Sequence, residues 1–98
     1  MKVRFAPAAQ ADLIEIAAYI AQDDPTRALS FVDELEARCF KLGQHPSLGT
    51  RRDDLASGLR MLPHGRYLVF YRQQPDALRI ERVMHSERDI DGEHFEDR

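Results

Sequence analysis

The run Tyr67-Leu68-Val69-Phe70-Tyr71 constrains this chain more than any other segment, because it leaves a β-strand with no polar face. Alternate side chains of a strand point to opposite sides of its sheet, so such a run belongs at the centre of a sheet. The sheet belongs to a chain of 98 residues. A chain this long buries roughly 60–70% of its unfolded surface, enough for one core and one domain over residues 1–98. The hydrophobic share, 43%, is too high for a disordered chain. It is nowhere gathered into the ~18-residue apolar run that a membrane span needs. The opening Met1-Lys2-Val3-Arg4-Phe5 alternates from the start, with no apolar signal-peptide core behind it. A single cysteine, Cys39, has no disulfide partner, so the chain is expected in a reducing cytoplasm.

Strands flank the apolar run. Leu59–Pro63 precedes it across His64-Gly65, the strand itself spans Arg66–Gln73, and Leu78–His85 follows across Gln74-Pro75-Asp76-Ala77. A short alternating strand is expected at Lys2–Ala6. Between it and the meander lie two helical patterns. The first, about Ala8 to Gln22, carries Leu13, Ile16, Ala17 and Ile20 on one face; Pro7 suits its first turn, and Asp12 and Glu15 lie toward its positive end. The second, about Pro25 to Leu42, carries Ala28, Phe31, Val32, Leu35, Cys39 and Leu42, is capped by Asp24 and is stopped by Gly43 and Pro46. Residues 46–58 are polar and rich in turn formers, which predicts a loop. The fold class is therefore α+β: a strand, an antiparallel helical hairpin, then a three-stranded antiparallel meander. The hairpin covers one face of the sheet. The second face is expected to lie open. The last ten or so residues, with Ile90 and Phe95 as their only large apolar anchors, form either a docked turn or a flexible acidic tail.

Net charge is −3, which argues against a simple nucleic-acid binder. Its distribution says more. Residues 51–88 hold eight arginines and five acids, whereas residues 89–98 hold five acids and one arginine. Basic residues are skewed to twelve Arg against two Lys. The planar guanidinium fork suits carboxylates and phosphates, so this bias suggests an acidic partner; an Arg-favouring codon bias would produce it equally well.

Candidate chemistry is sparse. The four histidines, His45, His64, His85 and His94, are never three or four residues apart and lie far from Cys39, so no metal site and no cofactor is expected. Cys39 sits in the core stripe of the second helix and reads as a buried structural thiol. There is no glycine-rich phosphate loop and no nucleophile elbow. Strand alternation places Leu78, Ile80, Arg82 and Met84 on one face of the last strand and Arg79, Glu81, Val83 and His85 on the other. Arg82 thus stands among residues that want burial and needs an acid or a carbonyl, such as a carboxylate on the helical hairpin. His85 lies at the strand's end. Arginines that hold a phosphate and a histidine that moves a proton are the minimum for metal-free RNA cleavage.

Five strings in this order resemble a known family. They are Ala11-Asp12-Leu13-Ile14-Glu15-Ile16-Ala17, His45-Pro46-Ser47-Leu48-Gly49, Gly58-Leu59-Arg60, Gly65-Arg66-Tyr67-Leu68-Val69-Phe70-Tyr71-Arg72, and Arg82-Val83-Met84-His85-Ser86-Glu87-Arg88-Asp89-Ile90. Spread over essentially the whole chain, they look like a ParE toxin of the RelE/ParE superfamily. The resemblance implies a cytoplasmic toxin of a type II pair, neutralised by a ParD-like antitoxin that carries the DNA-binding end, so that DNA is met only through the antitoxin. It implies DNA gyrase as the target, or, in the RelE branch, mRNA cut on the ribosome. In that branch His85, Arg82 and Arg66 would be catalytic, but Ser86 stands where a tyrosine is often found and the region lacks lysine. The non-enzymatic branch is therefore favoured, with Arg60, Arg66, Arg82 and Arg88 as partner-binding residues. A plain interaction module without toxicity is the third reading. On the first, an acidic antitoxin segment would fold onto the open sheet face, burying apolar side chains and pairing with Arg60, Arg66 or Arg82.

Overall fold

Pro7 and Pro25 each stand in the first turn of a helix, where a missing N–H costs nothing. Over the described residues, 1–95, the computed structural model places β1 at Val3–Phe5, α1 at Pro7–Ala21, α2 at Pro25–Lys41, β2 at Thr50–Arg51, β3 at Leu59–His64, β4 at Tyr67–Gln73 and β5 at Leu78–His85, followed by a 3-10 turn at Gly92–Phe95. Asp24 caps α2 as expected, its carboxylate accepting the Arg27 N–H at 3.0 Å. The sheet order is β1-β5-β4-β3-β2. The meander is antiparallel, and β1 lies parallel beside β5, an arrangement permitted by the long connection between them, which holds the helical hairpin and three strands. The expected loop contains one surprise, the two-residue edge strand β2 paired with Met61 and Arg60. The β3–β4 turn is a two-residue connection, Gly65-Arg66, between the paired His64 and Tyr67. Gly65 has φ +59°, the positive value such a hairpin demands at its first central position.

The helical hairpin covers one face. Leu13, Ile16, Phe31, Leu35, Cys39 and Leu42 pack with Val69, Tyr71, Leu78, Ile80 and Val83 in one cluster. Burial pushes the Cys39 thiol up to about 12, so it stays protonated and inert, as its place in the stripe predicted.

Two expectations fail here. The alternation along β5 breaks, because Tyr71 pairs with Ile80 while Phe70 pairs with Arg82, leaving Glu81 as a bulge. Val83 therefore joins Leu78 and Ile80 on the helix side, and Met84 packs on the other. The second failure is larger. The face opposite the helices is closed by the chain itself: Leu59, Phe70, Met84 and Phe95 form a second buried cluster, with Leu55, Ala56, Leu68 and Ile90 packed around it. Phe95 packs against Phe70 at 4.9 Å between ring centroids, the rings tilted at 51°, and its carbonyl accepts a bond from Arg72 at 3.4 Å. The physical reason is β4 itself. Phe70 has no polar alternative, and Phe95 and Leu55 are the apolar side chains within reach that can remove it from water. The tail thus docks as far as Phe95; Glu96, Asp97 and Arg98 lie outside the described residues.

Candidate functional site

The last strand ends where three strands come into line. The register sets His64 of β3, Tyr67 of β4 and His85 of β5 in one row. Their rings continue into the helical layer: His85 meets Tyr67 edge-on at 5.2 Å, Tyr67 meets Phe31 at 5.5 Å, and Phe31 meets His64 at 5.4 Å. The Arg27 guanidinium lies 5.3 Å from the Phe31 ring centre. Tyr19 of α1 leans over this row while remaining 68% exposed. Tyr19, Tyr67, His85 and Glu87 line an open pocket of about 360 Å³. Burial, and secondarily Tyr19, hold the Tyr67 hydroxyl above the usual phenol range.

The chemistry available to His85 follows from its neighbours. Nδ1 accepts the backbone N–H of Glu87 at 3.1 Å, so the neutral ring carries its proton on Nε2. In that tautomer His85 donates, and it has no free lone pair with which to take a proton from a ribose hydroxyl. Arg66 is exposed in the turn beside it, its carbonyl accepting the Ser86 N–H at 2.8 Å.

Arg82 does not reach this pocket as a free cation. Its Nε and one terminal nitrogen bond both oxygens of Asp12 at 2.8 and 2.9 Å, and Asp12 also accepts the Val83 N–H at 2.9 Å. The expected carboxylate on the hairpin is therefore Asp12, itself only 5% exposed, and it raises the Arg82 pKa. Asp12 also occupies the edge of β5 just past the point where β1 ends at Phe5. Arg60 lies elsewhere again. It pairs with Tyr71, four residues along β4 from Tyr67, or about 13 Å at the rise of a strand. There its guanidinium bonds the carbonyls of Gly49 at 2.7 Å and Ser47 at 3.3 Å. Arg88 is exposed beyond the strand end. Of the four arginines expected to bind a partner, Arg66 and Arg88 are exposed, whereas Arg60 and Arg82 hold the fold together.

Sequence reasoning missed Tyr19, Tyr67 and Glu87 as walls of the pocket and Asp12 as the partner of Arg82. Tyr67 was findable, since a two-residue turn at Gly65-Arg66 pairs His64 with Tyr67 and so opposes Tyr67 to the end of β5. Tyr19 was not, because its position depends on how the hairpin docks. The described residues include no group of three or more His, Cys, Asp or Glu placed to hold a metal, and none of their helices is long and apolar enough to cross a membrane.

Residues 3–90 match the family described as the ParE toxin of the type II toxin–antitoxin system parDE. Among characterised relatives, Toxin RelE3 of Caulobacter vibrioides is 33% identical over 86 residues, covering 86% of this chain and 92% of that protein. Toxin ParE1 of the same organism is 33% identical over 85 residues, covering 84% and 85%. Two solved structures share the fold at 24% identity. They are a chromosomal ParDE system from P. aeruginosa, with a TM-score of 0.75 over 87% of this chain and 95% of that one, and the RelBE2 complex of Mycobacterium tuberculosis, with a TM-score of 0.62 over 86% and 95%. With strand, helical hairpin and meander in this order, and relatives named for both branches, the chain belongs to the ParE toxin family of type II toxin–antitoxin systems, within the RelE/ParE superfamily.

Proposed function

We propose that this toxin acts in the cytoplasm by binding and inhibiting DNA gyrase rather than by cutting RNA, and that a ParD-like antitoxin neutralises it. The observation that carries the non-enzymatic reading is the bidentate pair between Arg82 and Asp12. Cleaving RNA without a metal requires cations preorganised around the charge that develops on the phosphate. Arg82 is already neutralised by a carboxylate at 2.8 Å, and the exposed arginines near His85, Arg66 and Arg88, stand on the turn and beyond the strand end and not on the sheet. The Nδ1 bond from Glu87 further withholds the lone pair a general base needs. Ser86, in place of a tyrosine, and the lack of lysine between residues 51 and 88 agree with this.

The second reading, a ribosome-dependent endoribonuclease using His85, Arg66 and Arg82, is favoured by the pocket itself, where His85 is open to solvent between two tyrosines. Expression of the wild-type chain without antitoxin separates the two. A gyrase inhibitor induces the DNA-damage response and filamentation before protein synthesis falls; a ribonuclease halts translation first. His85→Ala is expected to keep full toxicity. Loss of toxicity in that variant, with the chain still folded and translation stopping early in the wild type, overturns the proposal in favour of the nuclease. Harmless expression of the folded wild-type chain overturns both.

A further inference from the structure

Closure of the second sheet face removes the surface on which an acidic antitoxin segment was expected to fold, so its docking site must lie elsewhere. The outer side of α2 offers one. A groove of about 530 Å³ runs between the last turns of that helix, the loop after it and the end of β3, lined by Glu34, Arg38, Lys41, His45, Leu48 and His64. Its charges are unusual for a chain with net charge −3. Arg38 and Lys41 are both exposed, and among the described residues neither forms an ion pair, unlike Arg4, Arg27, Arg51, Arg52, Arg72, Arg79 and Arg82. The one carboxylate on the rim, Glu34, is already held by Arg27 at 2.8 Å. Two imidazoles add donors, His45 exposed and His64 half-buried against Phe31.

The groove also has an apolar side. Leu48 is 61% exposed in a loop whose backbone is otherwise pinned from within: Gly49 N–H donates to the Tyr71 hydroxyl at 2.7 Å, that hydroxyl donates to the Pro46 carbonyl at 2.8 Å, and Arg60 bonds the Ser47 and Gly49 carbonyls. A loop held this firmly presents Leu48 to solvent in a fixed place. Binding there costs little ordering of the loop, which is the condition under which a small contact yields useful affinity.

We infer that this groove receives an acidic segment of the antitoxin, with carboxylates on Arg38 and Lys41 and an apolar side chain on Leu48. The inference rests on the antitoxin reading above. Charge complementarity selects an acid, and Leu48 together with Ala37 and the aliphatic stems of Arg38 and Lys41 selects a peptide over a phosphate backbone, which would leave that carbon surface wet.

The test measures the affinity of the full-length chain for the full-length product of the adjacent antitoxin reading frame. Arg38→Glu/Lys41→Glu and the neutral Arg38→Gln/Lys41→Gln are compared with wild type, and Arg4→Glu serves as a charge reversal away from the groove. Both positions face solvent on α2, so folding is checked by circular dichroism and is expected to be unchanged. The reversal is expected to weaken binding at least 30-fold and the neutral pair about tenfold, with Arg4→Glu within twofold and a shallower salt dependence in both groove variants. Leu48→Ala is expected to weaken binding about tenfold without altering the salt dependence. Unchanged affinity in the groove variants, with wild type still binding, overturns the groove and leaves the antitoxin reading standing. Failure of the wild-type chain to bind that product overturns the antitoxin reading itself. A duplex oligonucleotide that binds the wild-type chain and loses affinity in the groove variants, while the antitoxin does not, overturns the proposal and reassigns the groove to nucleic acid.

Discussion

Asp12 shows how much one side chain can decide. It satisfies a half-buried arginine and the backbone N–H of Val83 at once, and it does so from a helix 70 residues away in sequence. Removing one member of a buried pair strands the other, which costs on the order of 3–5 kcal/mol. Asp12→Ala, which strands the Arg82 guanidinium, and Arg82→Met, which strands the Asp12 carboxylate, are each expected to lower unfolding stability by about that much in urea titration, and the double variant Asp12→Leu/Arg82→Met by clearly less than either, since it leaves no unpaired charge. A double variant that loses as much as the two single variants added together would show that the pair, and not the stranded charge, sets the penalty. His64 gives a second residue-level prediction. Burial, and after it Arg38, hold its pKa below the ordinary histidine value. The fold therefore prefers the neutral ring, while the unfolded chain takes up a proton near pH 6.5. The contribution is fully present above that pH and is lost as pH falls through the lower native pKa. Replacing His64 by Gln should flatten that part of the acid limb of a stability–pH curve; an unaltered limb would remove His64 from the account.

At the scale of elements, the staple between β4 and the loop at residues 46–49 explains a motif that looks merely turn-like. A Cβ on Gly49 would lie 2.7 Å from the Tyr71 hydroxyl and 2.9 Å from the Met61 carbonyl, so only glycine allows this approach. Tyr71→Phe leaves the buried Gly49 N–H without its acceptor and should cost about 1–3 kcal/mol in chemical denaturation. Gly49→Ala should cost at least as much, and should also raise amide exchange across residues 46–49; intact protection there would contradict the staple. Periodicity made the helices and the meander legible, because Phe31, Leu35, Cys39 and Leu42 repeat at helical spacing and residues 67–71 admit only a strand. It could not reveal the Glu81 bulge, which breaks alternation without a glycine or proline to announce it, so strict alternation puts Val83 and Met84 on the wrong faces. For the same reason His85 was legible as a strand-end residue, while its tautomer, set by a backbone N–H two residues on, was not.

For the whole molecule, the consequence of β4 is that two cores share one strand. Val69 and Tyr71 belong to the helix-side cluster and Phe70 to the other, each no more than 1% exposed. Covering both faces with a single chain of this size requires the C-terminal turn, and Phe95 is the residue that supplies it. Phe95→Ala should therefore destabilise the entire chain, by about 3 kcal/mol, in one transition seen alike by circular dichroism and tyrosine fluorescence. A split transition would mean that the two cores melt separately. A chain ending at Asp89 lacks Ile90 and Phe95 and leaves Leu59, Phe70 and Met84 with one side bare. An apolar surface of that kind binds the dye ANS and seeks a partner. The truncated chain is expected to bind ANS strongly and to self-associate, whereas the 98-residue chain does neither. Equal dye binding by the two would mean that the turn leaves the face uncovered in solution, and the antitoxin would then have a second place to dock.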